Sequence, residues 1–186
     1  MALSTRYKLF GAAAACSIVL DQASKIYARA SLPGESIRVP VIEGYFDWVL
    51  EYNTGSAFSL FSGGIGSRIF LSVVACVALA VIFWMVRGAK DSQRGMAVAL
   101  GLMAGGALGN LIDRILFGRV TDFVLWHYGD HYWPVFNVAD VALVFAVPLF
   151  LIFGYRAEKE DKAEAEAEAA SEKSKKSKKS KKSKKK

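Results

Sequence analysis

Four apolar runs, each close to the length of a membrane span, constrain this chain more than any other feature. They cover about Leu9–Ala28, Ile69–Val86, Met96–Leu116 and Val138–Tyr155, and roughly twenty apolar residues is what a helix needs to cross the hydrocarbon of a bilayer. The second run has no charge between Arg68 and Arg87. With 53% hydrophobic residues in 186, the composition is that of a membrane protein, mainly α, with four transmembrane helices.

Basic residues orient the spans. Arg6 and Lys8 precede the first, Arg87, Lys90 and Arg94 fill the short second loop, and Arg156, Lys159 and Lys162 follow the fourth. All fall on one side, which the positive-inside rule makes the cytoplasm, with both termini inside. The opposite side receives two longer segments, about 31–67 and 118–136. The first alternates through Ile37, Val39 and Val41 and, after Glu43-Gly44, through Phe46, Trp48, Leu50 and Tyr52. Period two around a glycine turn predicts a hairpin, and Gly129-Asp130 marks a second turn. The expected architecture adds a small extracytoplasmic β-sheet to the helices, and Gly63, Gly64 and Gly66 suggest a turn before span two.

The organisation is then a membrane domain over 1–156 and a disordered, Lys-rich cytoplasmic tail over 157–186. That tail carries 12 lysines against 7 acids and nothing to bury. Anionic lipid head groups suit it; nucleic acid does not, because no stacking aromatic is interleaved with the lysines. Cys16 and Cys76 lie inside apolar runs and read as buried free thiols. Ala13-Ala14-Ala15-Cys16 has the look of a lipidation site, but Ile18-Val19-Leu20 continue the apolar run beyond it.

Every ionisable group within the spans gathers at one end. Span one is apolar until Asp21 and Lys25, span three until Asn110, Asp113 and Arg114, and span four opens with Asn137 and Asp140. A transporter needs polar groups through the full depth; this pattern describes a site at the outer face. Asp122 joins it from the loop Val120-Thr121-Asp122-Phe123. Asp21 and Lys25 are i,i+4 and can pair. Asn137 and Asp140 also have the spacing of an N-cap and its N3 partner, so capping and chemistry both account for Asp140. Asp122 has no such local role, and two carboxylates arriving from opposite sides of one loop suggest a pair sharing a proton.

The blocks Asp21-Gln22-Ala23-Ser24-Lys25, Tyr52-Asn53-Thr54-Gly55-Ser56-Ala57-Phe58, Gly105 to Arg114 and Phe136-Asn137-Val138-Ala139-Asp140, with Gly118 to Phe123 between the last two, resemble the signature blocks of the bacterial lipoprotein signal peptidases, signal peptidase II. The resemblance implies an intramembrane aspartic endopeptidase of the bacterial inner membrane that cuts diacylglyceryl-modified prolipoproteins just before the lipidated cysteine. It implies Asp122 and Asp140 as the catalytic dyad. It also implies that Asn53, Asn110, Arg114 and Asn137 line the site and that Asp21, Lys25, Gly55 and Asp113 support it. No cofactor or metal is expected, and nothing in the sequence demands more than a monomer. A metallopeptidase is the nearest rival, since His127 and His131 are four apart, but the turn at Tyr128-Gly129-Asp130 separates them and no His-Glu-x-x-His is present.

Overall fold

The computed structural model describes residues 3–55 and 65–183, with side chains to 167. Ser56, Ala57, Phe58, Gly63, Gly64 and the last lysines lie outside the described residues. The order is α1 (Thr5–Ser31), β1 (Arg38–Ile42), β2 (Phe46–Asn53), α2 (Ile65–Gly88), α3 (Arg94–Phe117), β3 (Val120–Tyr128), β4 (His131–Tyr132) and α4 (Val138–Ser183). All four helices are long and apolar enough to cross a membrane. Gly66, expected in a turn, lies inside α2.

The helices begin and end where local chemistry requires. Pro33 follows α1, whose last turn closes with Leu32 N–H donating to Ala28 C=O at 3.0 Å. At the end of α3, Gly118 takes a left-handed conformation (φ 75°) and its N–H returns to Arg114 C=O, the usual glycine stop. Where a disordered tail is expected from residue 157, α4 continues as helix through Ser183. Alanine, glutamate and lysine are strong helix formers, and Glu158 pairs with Lys162 at 2.5 Å one turn on.

Contacts divide the chain into residues 1–150 and 151–186. In the first unit α3 packs along α1, and its small residues set the distance. A methyl at Gly101 would meet Phe10 C=O at 2.5 Å, one at Gly105 would meet Ser17 Cβ at 2.5 Å, and one at Gly109 would meet Asp21 Oδ2 at 2.4 Å. Close backbone approach gives dispersion contacts that lipid tails cannot outcompete. At the end of the bundle away from the sheet, Ala14, Ile82, Val86, Leu100 and Ala104 form the apolar core.

Cys16 and Cys76 are free, as expected, but exposed. The correction follows from the solvent: span residues that face lipid are exposed in the protein yet remain in an apolar medium. The four strands form one antiparallel sheet in the order β1-β2-β3-β4. The hairpin across Glu43-Gly44 and the turn at Gly129 both occur where expected. Pairing of Glu51 with Asp122 and Asn53 with Val120 brings the two long loop segments together.

Gly109→Ala should lower unfolding free energy in detergent by about 1–3 kcal/mol through overpacking. Gly11→Ala, whose added methyl would touch nothing within 4 Å, should be neutral or slightly stabilising. Equal thermal midpoints for the two variants would contradict the close approach of α1 and α3.

Candidate active site

Asp122 stands in β3, only 3% exposed. Its two oxygens are held by two asparagines: Asn137 Nδ2 donates to Oδ1 at 2.6 Å and Asn53 Nδ2 donates to Oδ2 at 3.1 Å. Asn53 is itself fixed by a tight turn, because Gly55 N–H donates to its Oδ1 at 2.8 Å. Gly55 adopts φ +81°, and a methyl there would come within 2.4 Å of Leu71 Cδ1. A side chain there is strained by conformation and would displace the tips of Leu71 and Ser67.

Asp140 does two things at once. Its Oδ2 accepts Asn137 N–H at 3.1 Å while its own N–H donates to Asn137 Oδ1 at 3.1 Å, a reciprocal capping box that starts α4. Its other oxygen, Oδ1, accepts Asn110 Nδ2 at 2.9 Å. Capping and a place in the site are thus not alternatives for this carboxylate.

The two asparagine amides tie the aspartates into one network. Asn137 Nδ2, besides its bond to Asp122, donates to Asn110 Oδ1 at 3.0 Å. Lys25 Nζ donates to the same Asn110 oxygen at 2.9 Å. An ammonium can only donate, so Lys25 turns the Asn110 carbonyl toward itself and leaves the NH2 group for Asp140. The sequence-predicted residues Lys25, Asn53, Asn110, Asn137, Asp122 and Asp140 are all brought together.

A second layer holds the first. Lys25 pairs with Asp21 at 2.9 Å and approaches Asp113 at 3.7 Å, with all three side chains at 0% exposure. Asp21 Oδ1 also accepts Ala139 N–H at 2.9 Å, fastening α1 to the first turn of α4. Asp113 Oδ2 accepts Thr121 N–H at 2.9 Å. Arg114, one residue on, donates to Asn110 C=O at 3.4 Å. Adjacent residues on a helix point to different faces, so Asp113 finds Lys25, Arg29 and Gln22 of α1. His127 Nε2 lies 3.3 Å from Asp47 Oδ2 across β2 and β3.

Three residues of this layer are absent from the sequence expectations: Gln22, Arg29 and Thr121. Gln22 Nε2 reaches Asp21 Oδ2, Gly109 C=O and Asp113 Oδ1 at 3.0, 3.1 and 3.3 Å. Asp21, Lys25 and Arg29 repeat at i, i+4 and i+8, so helical spacing alone marks Arg29 as sharing their face. Thr121 had no such signal, because its partners come from other elements.

Burial pushes the Asp122 carboxyl up to about 7, with the nearby Asp140 charge adding to the rise. Hydrogen bonds from Asn137 and Asn53 and the Lys25 charge oppose it. A carboxylic acid kept partly protonated near neutral pH, beside a second carboxylate, can donate and accept protons in one reaction.

The family model for signal peptidase (SPase) II matches residues 13–156. The chain belongs to the signal peptidase II family. It is 43% identical over 148 residues to the lipoprotein signal peptidase of Xanthomonas campestris pv. campestris (strain 8004), covering 76% of this chain and 87% of that one. To the lipoprotein signal peptidase of Xylella fastidiosa (strain 9a5c) it is 45% identical over 129 residues, covering 68% and 76%. Two solved bacterial membrane enzymes share the fold. One has TM-score 0.70 and 28% identity over 84% of this chain and 93% of that one; the other has TM-score 0.68 and 30% identity over 82% and 96%. The four apolar helices and these neighbours make the protein a multi-pass membrane protein, and membership of the signal peptidase II family implies a peptidase.

Lys25→Met should cost about 3–5 kcal/mol of stability, since it leaves buried Asp21 without its cation and Asp113 with Arg29 alone. Adding Asp21→Asn should recover part of that loss. Unfolding in detergent measures both, and wild-type stability of Lys25→Met would contradict the role given to the buried ammonium.

Proposed function

We propose that this protein is an aspartic endopeptidase that removes the signal peptide from diacylglyceryl-modified prolipoproteins, cutting just before the lipidated cysteine. The observation that carries the reading is the network in which Asn110 and Asn137 grip Asp140 and Asp122 together. Amides can donate to carboxylates without neutralising them, so the pair keeps its negative charge and its proton.

In the proposed reaction the ionised member of the dyad takes a proton from a water whose oxygen attacks the scissile carbonyl carbon. The protonated member donates to the carbonyl oxygen as it becomes a hydroxyl. The dyad proton then passes to the leaving nitrogen, the C–N bond breaks, and one hydroxyl proton of the collapsing diol returns to the ionised carboxylate, which restores the singly protonated pair. Burial biases Asp122 toward holding the shared proton, and the macroscopic titration belongs to the pair.

The surroundings suit an apolar, lipidated substrate. A cavity of about 670 Å³ has Asp140 on its lining and is walled by Trp126, Trp133 and Phe136 and by Val141, Val144 and Phe145 of α4. Signal-peptide side chains and acyl chains would fill such a space without leaving polar groups unpaired. Trp126 and Trp133 are exposed, and exposed tryptophans favour the head-group level. The reading places the protein in the bacterial inner membrane with both termini cytoplasmic and the site at the outer face, acting as a monomer. The Lys-rich tail would meet anionic lipid head groups. The aspartates supply the acid and the base, so neither metal nor cofactor has a part.

Asp122→Asn and Asp140→Asn should each give no product above background when a model prolipoprotein is incubated in detergent and weighed by mass spectrometry. Both proteins should keep the wild-type circular dichroism. Substantial cleavage by either variant removes the dyad, and loss of wild-type activity in excess chelator would favour a metal instead. Because the raised carboxyl is protonated below its midpoint, the cleavage rate should fall as pH rises through about 7. A rate that keeps climbing through neutrality would contradict an acid of that kind.

A further inference from the structure

The strand that carries Asp122 is an edge at the point where it matters. β4 pairs only with His127 and Tyr128 at the far end of β3, so among the described residues the backbone around Asp122 has β2 on one side and no strand on the other. Two other elements take the exposed amides. Thr121 N–H donates to Asp113 Oδ2 of α3 at 2.9 Å. Two residues on, Phe123 N–H donates at 3.0 Å to the carbonyl of Phe136, the residue before the cap of α4. Asp122 sits between these two anchors.

The first anchor has a third member. Arg29 Nη1 donates to Thr121 Oγ1 at 2.8 Å and lies 3.7 Å from Asp113 Oδ2. Its guanidinium also stacks over the Phe117 ring, 4.7 Å from the centroid. Thr121 is 1% exposed, so its hydroxyl is satisfied by protein rather than by solvent. Arg29 therefore grips the side chain of Thr121 while Asp113 grips its amide.

We propose that Arg29 and Thr121 are positioning residues for Asp122: with Asp113 they form a clasp linking α1, α3 and β3 that sets where the Asp122 carboxyl meets Asn137 and Asp140. The inference rests on the dyad reading given above. Strands alternate their side chains, so a grip on Thr121 from behind presents Asp122 on the opposite face, toward α4. Loosening it changes the alignment of the carboxyl while leaving the substrate cavity beside α4 intact. The expected signature is a loss in kcat with little change in KM.

The test uses the full-length protein in detergent with a model prolipoprotein. Thr121→Val keeps the shape and removes the hydroxyl; it should lower kcat about tenfold, the size of effect a sub-ångström misalignment produces, with KM within about twofold. Thr121→Ser, which restores the hydroxyl, should return most of the rate. Arg29→Gln should show the same fall in kcat. Combined with Thr121→Val it should cost little more than either alone, since both break one interaction. Wild-type kcat in Thr121→Val, or equal losses in the valine and serine variants, overturns the clasp. If Thr121→Val does not fold, Arg29→Gln decides, because that side chain is 20% exposed; an unchanged kcat there overturns the proposal. Asp122→Asn run alongside separates the two readings. Activity in that variant ends the dyad and the clasp together, whereas an inactive Asp122→Asn with a fully active Thr121→Val removes the clasp alone.

Discussion

The Lys25 ammonium is buried among three partners, Asp21 at 2.9 Å, Asn110 Oδ1 at 2.9 Å and Asp113 at 3.7 Å. A charge withdrawn from water survives only if its partners are close and well aimed, so this one position dictates much around it. It brings Asp21 to the start of α4, where Asp21 accepts Ala139 N–H. It brings Asp113 to the start of β3, where Asp113 accepts Thr121 N–H. It also fixes which way Asn110 presents its amide. The two elements that carry Asp140 and Asp122 are thereby docked on helices that carry neither aspartate.

A chain of amides between that cation and the dyad has a physical advantage over direct ion pairs. A lysine in contact with either carboxylate of the proposed dyad would hold it ionised and remove its ability to carry a proton. Asn110 and Asn137 transmit geometry while keeping the charge one side chain away. The same low dielectric that makes these bonds strong makes any missing partner costly, which accounts for the density of hydrogen bonds at the sheet end of the bundle. Small residues on α3 permit it: without Gly109, Asp21 could not lie against the α3 backbone.

Much of this was legible in the chain. Apolar run length gave the four helices, period two around Glu43-Gly44 gave the first hairpin, and the Asn137–Asp140 spacing gave the capping box. The i,i+4 pair of Asp21 and Lys25 was also readable. What was not readable depends on contacts between distant segments. Asn53 and Asp122 are 69 residues apart and meet only because β2 pairs with β3. Thr121 looks like an ordinary strand residue until Arg29 and Asp113 reach it from two helices. Cys16 and Cys76 are exposed although their apolar neighbours suggest burial, because in a lipid-facing span apolar does not mean interior.

The central claim is that the Asp122 and Asp140 carboxyls sense each other, and a titration of carbon-13-labelled aspartate side chains by NMR in detergent tests it most directly. The account predicts one carboxyl resonance with a midpoint near 7, absent from Asp122→Asn and moved to lower pH in Asp140→Asn, where the neighbouring charge is gone. A midpoint for Asp122 that is the same with and without the Asp140 charge would contradict a shared proton and, with it, the mechanism built on the pair.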